Sequence, residues 1–99
     1  MFNVYTINIM EFEFDQTKER LNMRRHRLSL ALAAEMDWEN AVVEIDNRFF
    51  YDEVRMNALV SLENRLYYVT FTERDERMRV ISLRYATNPE KKRYVQKFC

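Results

Sequence analysis

A chain of 99 residues, 47% of them apolar and 32% charged, has the size and balance of a single globular domain. Sixteen basic and sixteen acidic side chains give a formal net charge of zero, no apolar run approaches the roughly 20 residues that cross a bilayer, and glycine is absent. The composition therefore excludes disorder, a membrane partner and every phosphate-binding loop that depends on glycine.

The first third of the chain predicts one or two strands followed by two helices. Apolar residues alternate over residues 2–9 and again over 12–14, which favours strands. Asp15 is a suitable N-cap for a helix over residues 16–26, and Ser29 for a short helix over residues 30–36.

From residue 41 onward the hydrophobic pattern has a period of two. It predicts strands over residues 41–46, 51–61, 66–72 and 77–84. Without glycine, the turns are expected at three polar dipeptides: Asp46-Asn47, Glu63-Asn64 and Arg74-Asp75. A last helix should have Asn88 at its N-cap and Pro89 at its first position.

These elements predict an α+β fold in a single domain over residues 1–99. The sheet is expected to be an antiparallel four-stranded meander plus an N-terminal strand. Two N-terminal helices and a C-terminal helix should cover one of its faces.

Few residues could hold a metal ion or form a disulfide. Cys99 is the only cysteine and His26 the only histidine, so we expect no disulfide, no metal site and no cofactor. The first residues lack the basic start and continuous apolar stretch of a signal peptide, which favours a cytoplasmic protein.

The zero net charge hides a segregation of charge along the chain. Residues 18–27 hold five basic side chains against one acid, and residues 74–97 hold eight against three. Between them, residues 28–53 hold seven acids against one arginine. Such segregation predicts either a basic face that could bind phosphate or charged surfaces that only complement one another in the fold.

The last predicted hairpin concentrates arginine within residues 72–84. Strict alternation would place Arg77, Arg79, Ile81 and Leu83 on one face of its second strand and Met78, Val80, Ser82 and Arg84 on the other. Because neither face is purely apolar, the strand is expected to contain a bulge or to line a groove. Arginine suits phosphate binding, but Arg77 and Arg79 could instead form surface ion pairs with Glu73, Glu76 or Glu44.

Four blocks of residues resemble the BrnT family. They are Phe12-Glu13-Phe14-Asp15 with Lys18, Asn22, Arg25 and His26; residues 46–55 with Glu53-Val54-Arg55; residues 68–74 with Thr72-Glu73-Arg74; and residues 77–84 followed by Ala86-Thr87, Glu90, Arg93 and Tyr94. The resemblance spans residues 10–94 and leaves residues 1–9 as a possible N-terminal extension. It departs from the family at Arg25-His26-Arg27, where the family has a Lys-His-Gly turn.

The resemblance implies a RelE-like fold and the toxin of a type II toxin–antitoxin system. Such a toxin is a metal-independent endoribonuclease that cleaves RNA and inhibits translation and growth. The implied partners are RNA and a cognate DNA-binding antitoxin of the ribbon-helix-helix type, which could form a heterotetramer with the toxin.

Metal-free RNA cleavage needs a base for the 2′-hydroxyl, an acid for the leaving oxygen and positive charge for the phosphorane. The expected catalytic residues are Arg74, Arg79 and Arg84 for phosphate, Ser82 as a donor, Glu73 as a base and His26 as a second candidate. The expected RNA-binding residues are Lys18, Arg25, Arg55 and Arg77. Glu73 could instead be an ion-pair partner in the hairpin, and His26 a partner of the helix dipole.

Two other functions remain open at this point. The basic face could bind RNA, DNA or an acidic protein without cleaving anything. Alternatively, the aromatic residues of the sheet could form a structural dimer.

Overall fold

Five strands form one sheet in the computed structural model, which describes residues 11–46 and 53–98. The elements in chain order are β1 (Glu11–Glu13), α1 (Gln16–His26), a 3-10 helix (Leu30–Glu35), β2 (Asp37–Asp46), β3 (Arg55–Leu62), β4 (Arg65–Arg74), β5 (Arg77–Tyr85) and α2 (Asn88–Gln96). The sheet order is β1-β5-β4-β3-β2. The α+β class predicted from the sequence is confirmed.

The structure differs from the predicted fold in several details. The four antiparallel strands of the predicted meander are present as β2 to β5, but β1 runs parallel to β5, so the sheet as a whole is mixed. A parallel pair needs a long connection, and β1 and β5 are separated by most of the chain. The second predicted helix is a 3-10 helix. β2 begins at Asp37 and β3 at Arg55, where the sequence predicted strands over residues 41–46 and 51–61. The predicted strand at residues 2–9 lies outside the described residues.

The helix starts follow from side-chain caps. Asp15 accepts a hydrogen bond from the Thr17 N–H (2.8 Å), as predicted for α1. At α2 the N-cap is Thr87 rather than Asn88, because the Thr87 hydroxyl accepts from the Glu90 N–H (3.3 Å) and Glu90 accepts from the Thr87 N–H (2.8 Å). This reciprocal capping box leaves Asn88 as the first helical residue.

Two tight hairpin turns among the described residues use positive φ angles in residues other than glycine. Glu63 and Asn64 join β3 to β4 with φ of 49° and 62°, and Asp75 and Glu76 join β4 to β5 with φ of 54° and 63°. Two successive left-handed residues form the hairpin turn whose twist matches that of the strands. The turn at Glu63-Asn64 lies at the predicted dipeptide, and the turn at Asp75-Glu76 lies one residue later than predicted. The turn predicted at Asp46-Asn47 extends outside the described residues.

One face of the sheet packs against the 3-10 helix. The buried apolar cluster consists of Leu30, Ala33, Met36, Ala58, Val60, Tyr67, Val69, Phe71, Met78, Val80 and Leu83. Trp38 closes one side of this cluster, since its ring meets the Phe71 ring edge-on at 5.5 Å between centroids and its indole N–H donates to the Ala33 carbonyl. Burial of this cluster is the main contribution to folding.

The side chain of Asn22 joins α1 to the edge of the sheet. Its amide donates to the Leu83 carbonyl (2.8 Å) and the Leu28 carbonyl (2.9 Å), and its oxygen accepts from the Leu83 N–H (2.9 Å). β1 pairs with β5 only over Arg77–Arg79, so Asn22 takes the place of a neighbouring strand at Leu83. This contact holds α1 beside the half of the sheet that carries the polar cleft described below.

We expect Asn22→Ala to destabilise the protein by about 2–4 kcal/mol, because it leaves both buried backbone groups of Leu83 without their bonds. In a domain of this size the melting temperature should fall by roughly 10–20 °C. The exposed Arg24→Ala on the same helix is the control and should stay within about 0.5 kcal/mol of the wild type. Urea unfolding followed by circular dichroism measures both, and equal midpoints for the two variants would contradict this role of Asn22.

Candidate active site

A β-bulge in β5 decides which side chains face the site. Thr70 pairs with Ser82, but the next residue of β4, Phe71, pairs with Val80, so Ile81 is an extra residue. Val80 and Leu83 are therefore both in the core, while Ser82 turns to the opposite, polar face. The sequence pattern allowed a bulge or a groove, and the structure has the bulge.

A cleft of about 240 Å³ lies between α1 and this polar face. The α1 side contributes Lys18, Leu21, Asn22, Arg25 and His26. The sheet contributes Asp46 from β2, Arg55 from β3, Thr70 from β4, and Ile81 and Ser82 from β5. Five of the ten predicted site residues therefore line one cleft: Lys18, Arg25, His26, Arg55 and Ser82.

The cleft is strongly cationic. Lys18, Arg25 and Arg55 outnumber Asp46, the one carboxylate in its lining. Asp46 is buried and lies opposite Arg55 in the register of β2 and β3. Lys18 and Arg25 form no ion pair within residues 11–46 and 53–98, so their charges are available to an anion that enters the cleft.

His26 is the last residue of α1 and lines the cleft. Burial lowers the pKa of its imidazole, and the positive charges of Arg84 and Arg25 lower it further. The imidazole is thus mainly neutral at pH 7 and able to accept a proton. The next residue, Arg27, has a left-handed backbone (φ 59°), and its N–H bonds to the Met23 carbonyl. The turn after His26 therefore has the geometry that glycine usually provides, although the residue is arginine.

Arg84 links the cleft region to α2. Its guanidinium donates two hydrogen bonds of 2.9 Å to the carboxylate of Glu90, and it lies 4.3 Å from the centre of the Tyr68 ring. Burial raises the pKa of Glu90, but hydrogen bonds from Arg84 and Thr87 outweigh burial, so the net pKa lies below the ordinary value. Arg84 is therefore committed to a paired carboxylate, and it influences His26 through its charge.

The arginines toward the tip of the β4–β5 hairpin are held by ion pairs. Arg74 bonds to Glu53 (2.9 Å), Arg77 approaches Glu11 (3.1 Å) and Glu13 (3.5 Å), and Arg79 bonds to Glu13 (3.0 Å). The ion-pair alternative drawn from the sequence thus describes these side chains, but the acids come from β1 and from Glu53. Glu73 is exposed. None of Glu73, Arg74, Arg77 and Arg79 lines the cleft.

Three polar residues of the cleft were not among the site candidates predicted from the sequence, namely Asn22, Asp46 and Thr70. Thr70 is buried, and its hydroxyl donates to the Asn57 side chain at 2.7 Å. A polar residue at an otherwise apolar stretch of strand was the available signal for Thr70. Asn22 and Asp46 reach the cleft only through tertiary packing, which local patterns do not report.

No group of three or more His, Cys, Asp or Glu side chains within residues 11–46 and 53–98 could hold a metal ion. In the same part of the chain no helix is long and apolar enough to cross a membrane.

Comparison with known proteins bears on the chemistry of this cleft. Residues 14–90 match a family model described as "Ribonuclease toxin, BrnT, of type II toxin-antitoxin system". The matched range includes every residue that lines the cleft. No curated protein matches the chain.

Proposed function

This chain belongs to the BrnT family of ribonuclease toxins of type II toxin–antitoxin systems, and we propose that it is an endoribonuclease that cleaves RNA at the cleft between α1 and the sheet. The observation that carries the proposal is the convergence of a neutral imidazole, a hydroxyl and three cations in one cleft. Cleavage without metal, inhibition of translation and growth, a RelE-like fold and a cytoplasmic location belong to the same proposal.

The proposed reaction is an internal transfer at phosphorus. His26 accepts the proton of the ribose 2′-hydroxyl, whose oxygen attacks the adjacent phosphorus. Lys18, Arg25 and Arg55 stabilise the negative charge that develops on the phosphorane, and Ser82 donates a hydrogen bond to it. The bond to the 5′-oxygen breaks, that oxygen takes a proton from solvent, and the products are a 2′,3′-cyclic phosphate and a 5′-hydroxyl.

The predicted site residues of the β4–β5 hairpin that lie outside the cleft take no direct part in the proposed reaction. Arg74, Arg77 and Arg79 would contact RNA only where a phosphate competes with their glutamate partners. Arg84 acts through its charge on His26 and its bonds to Glu90. Glu73 is exposed and lines no part of the cleft, so His26 replaces it as the proposed base.

Membership in a type II family implies a cognate antitoxin. We extend this to a DNA-binding antitoxin of the ribbon-helix-helix type that forms a heterotetramer with the toxin. Co-expression with the product of a neighbouring reading frame should restore growth to cells that the toxin alone arrests.

The decisive experiment is cleavage of a labelled single-stranded RNA by purified protein in excess EDTA. We expect fragments that end in 2′,3′-cyclic phosphate, and no cleavage of the same sequence with 2′-deoxyribose, because the attacking hydroxyl is then missing. Salt-dependent retention of RNA without cleavage would overturn the proposal in favour of a binding module. Neither retention nor cleavage, together with dimerisation, would favour a structural role.

A further inference from the structure

A second groove, of about 600 Å³, lies between α2 and the turn that joins β3 to β4. Two cations, Arg65 and Lys91, face it together with Leu66, Tyr85, Tyr94 and Val95. No carboxylate is among the described residues that line it, and Glu63 in the adjacent turn lies outside the lining. The groove is thus positive and partly aromatic.

The cations of this groove keep their charge accessible. The Arg65 guanidinium lies 4.8 Å from the centre of the Tyr85 ring, and the Tyr67 ring lies 5.4 Å from Tyr85 between centroids. Stacking on an aromatic ring orients the guanidinium without occupying its N–H groups. Neither Arg65 nor Lys91 forms an ion pair with a residue that the structure describes.

The groove lies close to the proposed cleavage site along the chain. Ser82 lines the cleft and Tyr85 lines the groove. They are three positions apart on β5, about 10 Å along the strand, with their side chains on opposite faces of the sheet. A single RNA strand bound in the cleft would therefore have to pass around the end of β5, a path of several nucleotides, to reach the groove. Proteins bind single strands with cations for the phosphates and with aromatic or guanidinium planes for the bases.

We propose that the groove between α2 and the β3–β4 turn is a second subsite for single-stranded RNA, in which Arg65 and Lys91 bind phosphate and the Arg65–Tyr85 stack contacts a base. The inference rests on the proposed function, because that function brings a single strand to Ser82. It assigns the substrate class as unpaired RNA long enough to occupy both the cleft and the groove.

The test uses binding of a fluorescent 12-nucleotide 2′-O-methyl RNA, which lacks the attacking hydroxyl and cannot be cleaved. We expect Arg65→Ala/Lys91→Ala to weaken binding about tenfold at 0.1 M salt and to reduce the slope of log affinity against log salt by about 1.4. The control is Lys92→Ala/Lys97→Ala, which removes two charges near the groove from residues that do not line it. The control should bind within about twofold of the wild type, because its lost charges are screened.

Unchanged affinity and salt slope in the groove variant would overturn the subsite. A labelled 12-residue polyglutamate is the second probe. If the wild type binds it, and the groove variant loses that binding but still binds RNA, the RNA subsite is overturned in favour of an acidic protein partner. Failure of the RNA subsite can be distinguished from failure of the proposed nuclease activity. Cleavage by a groove variant with unaltered KM removes the subsite alone, whereas RNA binding without cleavage by the wild type removes the nuclease alone.

Discussion

Replacing His26 by Gln should reduce the rate of RNA cleavage in EDTA by about 10²- to 10⁴-fold, the usual contribution of a general base. Gln keeps much of the size and polarity of the imidazole but cannot accept a proton at neutral pH. His26 is half-buried at the end of α1, outside the apolar cluster, so the substitution should leave folding intact.

Binding provides the control for the His26 variant. Affinity for the uncleavable 2′-O-methyl RNA should change less than threefold, because the lowered pKa leaves little positive charge on the imidazole at pH 7. His26→Gln with a cleavage rate within threefold of the wild type would exclude His26 as the base and reopen the question of which group accepts the proton.

The second large effect on the cleavage rate is expected from removing a cation of the cleft. Comparison with a cation near the hairpin tip tests which of the two regions is the active site. Arg55→Met should lower the cleavage rate about 10²- to 10³-fold, because the developing phosphorane loses one donor aligned in a confined site. Arg77→Met removes the same charge from β5 but at an exposed position, already paired with Glu11 and Glu13. The rate of Arg77→Met should stay within about threefold of the wild type.

Folding must be checked for Arg55→Met, because Asp46 is buried opposite it. The double variant Asp46→Asn/Arg55→Met removes both charges and should retain the unfolding midpoint while remaining inactive. Lys18→Met, on the other side of the cleft, tests the same cationic site without this burial. Equal losses from Arg55→Met and Arg77→Met would contradict the assignment of the cleft as the site.

The fold was largely predictable because its signals are local. Caps at Asp15 and Ser29 and the alternation in β3, β4 and β5 identify the elements near their observed positions. The disrupted alternation in β5 also indicated a bulge or a groove, and the structure has the bulge. The parallel pairing of β1 with β5 was not predictable in this way, since it joins residues more than sixty positions apart, such as Glu13 and Arg79.

The residue types of the candidate site were predictable from the sequence, but which of these residues lie together was not. The density of arginine predicted a phosphate site in the hairpin. The glutamates that pair with Arg77 and Arg79 come from β1, however, and no spacing within the hairpin indicates them. His26 and Ser82 were weaker candidates from the sequence. They line the same cleft because the Asn22 amide holds α1 at the open edge of β5 and the bulge reverses the direction of Ser82.

The most direct test of cleavage by His26 in this cleft is the pH dependence of kcat/KM in EDTA, which reports the pKa of the free enzyme. The lowered pKa of His26 predicts a rate that is constant near pH 7 and falls as the pH drops through a midpoint below 6.5. His26→Gln should have a low rate with no such acid limb. An acid limb that persists unchanged in His26→Gln, or a wild-type midpoint above 6.5, would contradict the account.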